Sequence, residues 1–346
     1  MNMKWKEEHR ALKEYIVKHA EIVINTSEVS IPQELRDEFY RRFDELRTAF
    51  VEDHNSSLTV DCESLCENFL QIEKEVMEIL SLDEIAIPVD LHSFLHRPKD
   101  GLIRILYNRT FDLLQGKTTI EEYETQASAD LQSMAQELFR LGYEQWAALT
   151  FIKLLDPDEA FLVDLDEDYK PVLAELKSIA FGRQAHHPTM RIPEFVLHSR
   201  KLDKYVAVKM VLSQEIETFA AKIKPPVRPK KKTGDTSFAL DSRAMLLSFM
   251  EKPENIPVIA DIYDLKLTSP DWMMAYISAN ELEDSYALEQ VARNLESLKP
   301  ARGGCLLIIG SEDASLEGVP QELNAASVGF DQSKLLSIVD RLALEA

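Results

Sequence analysis

The stretch KPPVRPKKKTGD, residues 224–235, decides the fold prediction for this chain of 346 residues. Its three prolines fix the backbone angle φ and remove hydrogen-bond donors, so the stretch cannot form a regular helix or strand. The sequence before it shows mainly helical patterns, whereas continuous apolar runs and glycines become frequent after it. We therefore expect a linker at 224–235 that joins two differently built domains.

The residues before the linker predict a mainly helical domain over 1–223. In 4–24 and 33–54, for example, apolar residues recur every three or four positions, which is the pattern of one buried helix face. The part 195–212 is rich in Val, Phe and Tyr, and its pattern fits either a β-hairpin or one continuous helix. This ambiguous part lies in the basic final segment of the domain, 183–223.

The residues after the linker, 236–346, predict a small α/β domain with a mixed sheet of about four strands. Short apolar runs indicate the strands, and amphipathic stretches indicate the helices. The predicted strands are 258–267, 272–280, 305–309 and 325–330, and the predicted helices are 241–250, 285–298 and 332–344. The expected fold class is therefore α + α/β.

The charge distribution indicates which partners to expect. The chain carries a net charge of −21, and residues 1–182 alone carry −18, which opposes general attraction to nucleic acid phosphates. The segment 183–232 is the exception, with twelve Lys or Arg against four Asp or Glu. We expect a protein partner, and nucleic acid is a candidate partner only through this segment. Its candidate anion-binding residues are Arg183, His186, His187, Arg228, Lys230, Lys231 and Lys232.

The cysteines and the apolar runs bear on the cellular compartment. Cys62, Cys66 and Cys305 are an odd number of cysteines without a secretory signal, which favours reduced thiols. No apolar stretch approaches the roughly 18 residues of a membrane span. We therefore expect a cytoplasmic protein that does not enter a membrane.

One strand carries a candidate catalytic set, Asp261, Asp264 and Lys266, in the sequence IADIYDLKL. Asp264 and Lys266 are two apart and share a strand face. An acid followed two positions later by Lys in a small α/β domain resembles the PD-(D/E)xK nucleases. The resemblance implies Mg²⁺ held by carboxylates, with Lys266 organising the attacking water. The family places a further Asp on a preceding strand, where this chain offers only Asp241 in a predicted helix. The alternative is charges of an edge strand that face solvent.

A candidate calcium site lies at Asp164, Asp166, Asp168 and Glu175. These residues fall at positions 1, 3, 5 and 12 of an EF-hand loop, where oxygen ligands wrap a hard cation. Position 6, which needs glycine in that loop, is Tyr169. The alternative is an acidic loop before the next element.

The passage LGYEQWAALTFIKLLDPD, 141–158, resembles the second half of a tetratricopeptide repeat, with Ala147, Ala148 and Phe151 at packing positions. The resemblance implies a helical-repeat platform in the N-terminal half. No second copy follows at the expected spacing, so ordinary helical-hairpin packing is the alternative.

Three functions follow from these patterns. The first is a non-enzymatic interaction or regulatory protein, with an acidic helical platform and an α/β module. The second is a metal-dependent nuclease, and only this function predicts a cofactor, Mg²⁺. The third is an anion or nucleic-acid binder that acts through 183–232. The sequence does not indicate an oligomeric state.

Overall fold

The computed structural model of the chain describes residues 3–54, 56–182, 190–212, 215–216, 243–261, 266–317 and 319–345. Within these ranges it contains nine α-helices and one large mixed sheet. The chain divides into two compact units. The helical unit comprises Met1–Leu70 and Pro88–Gly142, and the sheet unit comprises Gln71–Ile87 and Tyr143–Ala346.

Seven helices begin in the helical unit, and the last parts of two of them, α3 and α7, belong to the sheet unit. The helices are α1 (Lys4–Lys18), α2 (Gln33–His54), α3 (Ser56–Leu80), α4 (Val89–His96), α5 (Pro98–Ile105), α6 (Tyr107–Leu114) and α7 (Ile120–Leu154). Two short strands, β1 (Val23–Ile24) and β2 (Val29–Ser30), pair between α1 and α2. The helical N-terminal part of the prediction is therefore confirmed.

Aromatic side chains fill the core of the helical unit. The Trp5 ring lies 5.3 Å from the ring of Phe50 and 5.5 Å from that of Tyr123, so α1 is anchored on α2 and α7. Gly142 lies inside the continuous helix α7, and a Cβ there would lie only 2.9 Å from the side chains of Leu65 and Leu95. Glycine at 142 allows α3 and α4 to approach α7 closely.

The sheet unit contains the remaining named strands and two more helices. They are β3 (Glu84–Ile85), β4 (Pro157–Leu165), β5 (Pro171–Glu175), β6 (Ser178–Ile179), β7 (Met190–Arg191), β8 (Phe195–Ser199), β9 (Lys204–Leu212), β10 (Arg243–Met250), β11 (Ala260–Asp261), β12 (Lys266–Leu267), β13 (Trp272–Ser278), α8 (Ser285–Leu298), β14 (Gly304–Ile309) and α9 (Gln332–Glu345). The main sheet has the order β14-β13-β10-β9-β8-β4-β5. Its strands are antiparallel except for the parallel pair β13 and β14. Smaller sheets join β12, β11 and β7, and β3 with β6.

The sheet-rich C-terminal part agrees with the prediction, but the sheet has seven strands and not about four. The extra strands come from residues before 224, where 195–212 forms the hairpin β8–β9. Strand β9 then pairs with β10 over eight residues, so the sheet takes strands from both sides of 224–235. The two compact units therefore differ from the division into 1–223 and 236–346. The linker itself lies outside the described residues, and its role stays a prediction.

Three elements after residue 236 differ from the sequence prediction. The predicted strand 325–330 forms only an isolated parallel bridge, between Ala326 and Leu307. The predicted helix 241–250 is the strand β10, because this continuous apolar run lies between β9 and β13 in the sheet. Its Ala, Met and Leu residues favour helices intrinsically, and tertiary pairing overrides that preference. The predicted strand 258–267 is two short strands, β11 and β12, which pair antiparallel.

Both faces of the sheet are covered. One face places Leu246, Met273 and Leu306 in a buried cluster with Val291 and Leu298 of α8. On the other face, the Phe151 ring of α7 stacks on the ring of Trp272 at 4.9 Å. Burial on both sides explains why the central strands are mostly apolar and do not alternate.

Candidate functional site

The predicted nuclease residues lie on the hairpin β11–β12. Asp261 stands directly opposite Lys266 in the register of the two strands, so these residues are neighbours across a pair and not along one strand. Asp264 lies outside the described residues. Among the residues that the structure describes, no group of three or more His, Cys, Asp or Glu side chains could hold a metal ion.

The predicted calcium ligands belong to a β-hairpin and not to an EF-hand loop. Asp164 lies on β4 and Glu175 ends β5, and these strands pair antiparallel. The Asp166 carboxylate accepts the backbone N–H groups of Asp168 (2.9 Å) and Lys170 (2.8 Å), so it stabilises the turn. Tyr169 adopts the left-handed conformation there, with φ 59°. The alternating acids are thus explained by turn chemistry.

The candidate anion-binding residues of the basic segment lie outside the described residues. They are Arg183, His186, His187, Arg228, Lys230, Lys231 and Lys232. Of the same segment, the structure describes β8 and β9, whose side chains are largely buried in the sheet.

The sheet unit encloses a buried ion pair that the sequence patterns did not single out. The Lys209 ammonium lies 2.8 Å from a carboxylate oxygen of Glu194, and the side chains are 2% and 3% exposed. The same carboxylate accepts the N–H groups of Met210 (2.8 Å) and Gly182 (3.2 Å). Burial raises the pKa of Glu194, and the Lys209 charge opposes this effect. The pair is closed to solvent and its carboxylate is fully hydrogen-bonded, as expected of a structural pair.

A groove of about 680 Å³ lies along α1 in the helical unit. Its walls combine basic and aliphatic side chains, with Ile120 from the start of α7 at one side. The lining residues on α1 are Lys6, His9, Arg10, Lys13, Glu14, Val17 and Lys18. Val17 is 82% exposed, so it presents apolar surface beside the basic side chains. We call this feature the α1 groove.

The helix geometry explains why these residues line one groove. Lys6, Arg10, Lys13 and Val17 follow each other at intervals of four, three and four, so they share one helix face. The opposite side of α1 carries Trp5, which anchors the helix in the core. At the start of the groove, Lys6 forms an ion pair with Glu124 of α7 at 2.8 Å. The groove is thus a positively charged surface within the acidic part of the chain.

His9 adds a polar group to the groove. Its side chain is 6% exposed, and its Nε2 atom has no hydrogen-bond partner among the described residues. Burial lowers the pKa of His9 to about 4, and the nearby Lys13 charge contributes to this effect. The imidazole is therefore neutral at neutral pH and can donate or accept a hydrogen bond. A buried polar atom without a partner carries a free-energy cost that a ligand can remove.

The sequence patterns did contain a signal for the α1 groove. The apolar periodicity predicts the buried face of α1, and the same helical spacing places basic residues together on another face. The net charge of 1–182 does not reveal these basic residues, because acidic neighbours such as Glu7 and Glu8 offset them along the sequence. The charge of each helix face, taken separately, is the signal that indicates the groove.

In the part of the chain that the structure describes, no helix is long and apolar enough to cross a membrane. Comparisons with protein-family models, with curated proteins and with solved structures find no match to this chain.

Proposed function

We propose that the protein is a non-enzymatic interaction protein whose α1 groove binds an acidic, partly apolar segment of a partner protein. The observation that carries this proposal is the combination of cations, an exposed valine and the buried His9 in one groove. Apolar surface supplies the binding energy, and the surrounding cations select a negatively charged partner. His9 supplies a hydrogen bond to a polar group of the bound segment.

The charge of the whole chain favours a short partner segment over an extended polyanion. A nucleic acid or an anionic membrane would also approach the acidic surface around the groove, and a net charge of −21 repels both. A short amphipathic segment, with glutamates beside one apolar stripe, is small enough to contact the groove without contacting the acidic surface around it. Such a helix in a groove is a common mode of peptide recognition.

The test is a binding titration followed by fluorescence anisotropy. The probe is a labelled amphipathic peptide of about 15 residues with one leucine face and one glutamate face. We expect saturable binding that weakens by about ten-fold or more in the double variant Arg10→Glu/Lys13→Glu, because attraction becomes repulsion. Val17→Asp should weaken binding as well, because it places a charge on the apolar wall.

The matched control is Arg97→Glu/Lys99→Glu, which makes the same charge change at exposed positions of the same unit, outside the groove. Equal losses in the two double variants would mean that the peptide senses only the overall charge, which contradicts the proposal. Self-association that the groove variant abolishes, without peptide binding, would identify a second copy of the chain as the occupant. Binding of duplex DNA or anionic vesicles in place of the peptide would also reject the proposal of an acidic protein segment as the occupant.

One observation supports keeping the nuclease function as a second proposal. Asp261 and Lys266 stand opposite each other on β11 and β12, which brings an acid and a lysine to one position of a hairpin. The test is incubation of the native chain with plasmid DNA and Mg²⁺ or Mn²⁺. The proposal expects cleavage that Lys266→Ala abolishes, and cleavage equal in both proteins would come from a contaminant.

A further inference from the structure

The sheet unit contains a small cavity, of about 100 Å³, where β13 and β14 begin. Arg302, Asn324 and Arg341 contribute polar groups to its wall, and Trp272 and Cys305 contribute to the remainder. A cavity of this size holds about three water molecules, since each occupies about 30 Å³ in the liquid. It therefore suits a small ion and is too small for a nucleotide.

The two arginines reach the cavity from different elements. Arg302 lies in the turn before β14, where its N–H group donates to the Asp271 carbonyl at 2.8 Å. Its guanidinium lies 5.3 Å from the centre of the Phe249 ring, which holds the side chain in place. Arg341 lies in the last turns of α9. Two arginines that line one cavity can together supply the planar guanidinium donors that recognise oxyanions.

The other walls of the cavity are held by hydrogen bonds. The Asn324 amide donates to the Gly304 carbonyl at 3.1 Å, and the Cys305 thiol donates to the Asn324 carbonyl at 3.2 Å. Burial raises the pKa of Cys305 to about 12, so the thiol stays protonated and brings no negative charge. Asp340, next in sequence to Arg341, forms an ion pair with Lys201 at 2.5 Å, so its negative charge is offset there.

One feature of the cavity opposes an anion. The C-terminal end of α9 carries the negative pole of the helix dipole, equivalent to about half a charge. The two guanidinium groups carry two full positive charges, so the local balance remains positive. An oxyanion also accepts several hydrogen bonds at once, which a single chloride ion cannot do with the same geometry.

We propose that this cavity binds a small tetrahedral oxyanion, with inorganic phosphate as the fitting example, between Arg302 and Arg341. The site is independent of the α1 groove, since all of its residues belong to the sheet unit. Phosphate exchanges hydrogen bonds with water for charge-assisted hydrogen bonds to the two arginines, and no covalent step is involved.

The test uses the full chain and inorganic phosphate, followed by isothermal titration calorimetry and by ³¹P line broadening at constant ionic strength. We expect saturable binding that Arg302→Met and Arg341→Met each weaken by about ten-fold or more. Lys334→Met is the matched control, because it removes a cation from α9 that does not line the cavity. This variant should bind as the native chain does.

The proposal is overturned if the native chain shows no saturable binding below about 10 mM phosphate. It is equally overturned if Lys334→Met weakens binding as much as Arg341→Met, because general charge would then explain the affinity. Circular dichroism establishes that each variant is folded. If Arg302→Met does not fold, Arg341→Met decides the question, because Arg341 is exposed at the end of a helix.

Discussion

The buried pair of Glu194 and Lys209 allows a quantitative test of how the sheet unit is stabilised. The Glu194 carboxylate lies against the Lys209 ammonium and two backbone N–H groups, with almost no solvent contact. The two N–H groups donate to different oxygens of this carboxylate, Gly182 to Oε1 and Met210 to Oε2. Glu194→Gln keeps one acceptor oxygen, places an NH2 group against one of the two N–H donors and removes the negative charge that faces Lys209. The substitution therefore removes the charge pair together with one backbone hydrogen bond.

The expected loss follows from the cost of a buried charge that loses its counter-charge. Removing one partner of a buried ion pair destabilises a protein by about 3–5 kcal/mol. Because the glutamine retains only one of the two acceptor oxygens, we expect Glu194→Gln to lie inside this range, at about 4 kcal/mol. In the double variant Glu194→Gln/Lys209→Met no charge remains at the pair. We therefore expect its free energy of unfolding to be higher than that of Glu194→Gln by at least about 2 kcal/mol.

The assay is urea denaturation followed by tryptophan fluorescence, since Trp146 and Trp272 both lie in the sheet unit. The native chain, both single variants and the double variant complete a double-mutant cycle. A Glu194→Gln variant within about 0.5 kcal/mol of the native chain would refute the reasoning, because surface substitutions produce changes of that size. Strictly additive losses in the double variant would show that the two charges do not interact.

Three further predictions concern other parts of the chain. The pKa of His9 is about 4 in the folded chain, below the ordinary value of 6.5. Between pH 6.5 and pH 4 the unfolded chain therefore binds more protons at His9 than the folded chain does, so stability falls as the pH falls. The loss should reach roughly 3 kcal/mol at pH 4, and urea denaturation at several pH values should show that His9→Phe removes this part of the pH dependence. Limited trypsin digestion should cut first at 230–232, whereas resistance there would contradict a linker at 224–235. If the basic segment binds DNA, affinity should fall steeply with salt, and replacing Arg228 and 230–232 by glutamine should reduce the slope; binding that ignores salt rejects that function.

The sequence was sufficient to predict elements whose local pattern agrees with their final environment. The helix α2 follows the predicted window 33–54 to the residue, because its apolar positions repeat at helical spacing and face one core. The strand β10 could not be predicted in this way, since its residues favour a helix and only the pairing with β9 and β13 makes it a strand. A local sequence pattern does not indicate which distant segments pair as strands.

The same limit explains the incorrect number of strands. The sequence predicts an acidic loop where the end of β4 and the strand β5 lie, because Asp164, Asp166 and Asp168 dominate that stretch. At the edge of the sheet these acids face solvent or stabilise a turn, so their polarity agrees with a hairpin as well as with a loop. Composition distinguishes buried from exposed residues, but it does not distinguish an exposed strand from an exposed loop.

The location of the α1 groove shows why net charge is a poor guide to a binding surface. Residues 1–182 carry a net charge of −18, yet the groove within them is lined by Lys6, Arg10, Lys13 and Lys18. A helix distributes consecutive residues over different faces, so charges that cancel along the sequence are separated in space. Under the proposed function, the surrounding negative charge would repel anions from the rest of the surface, and a short acidic segment would be attracted only at the groove. The acidity of the chain would then contribute to the selectivity of the proposed site.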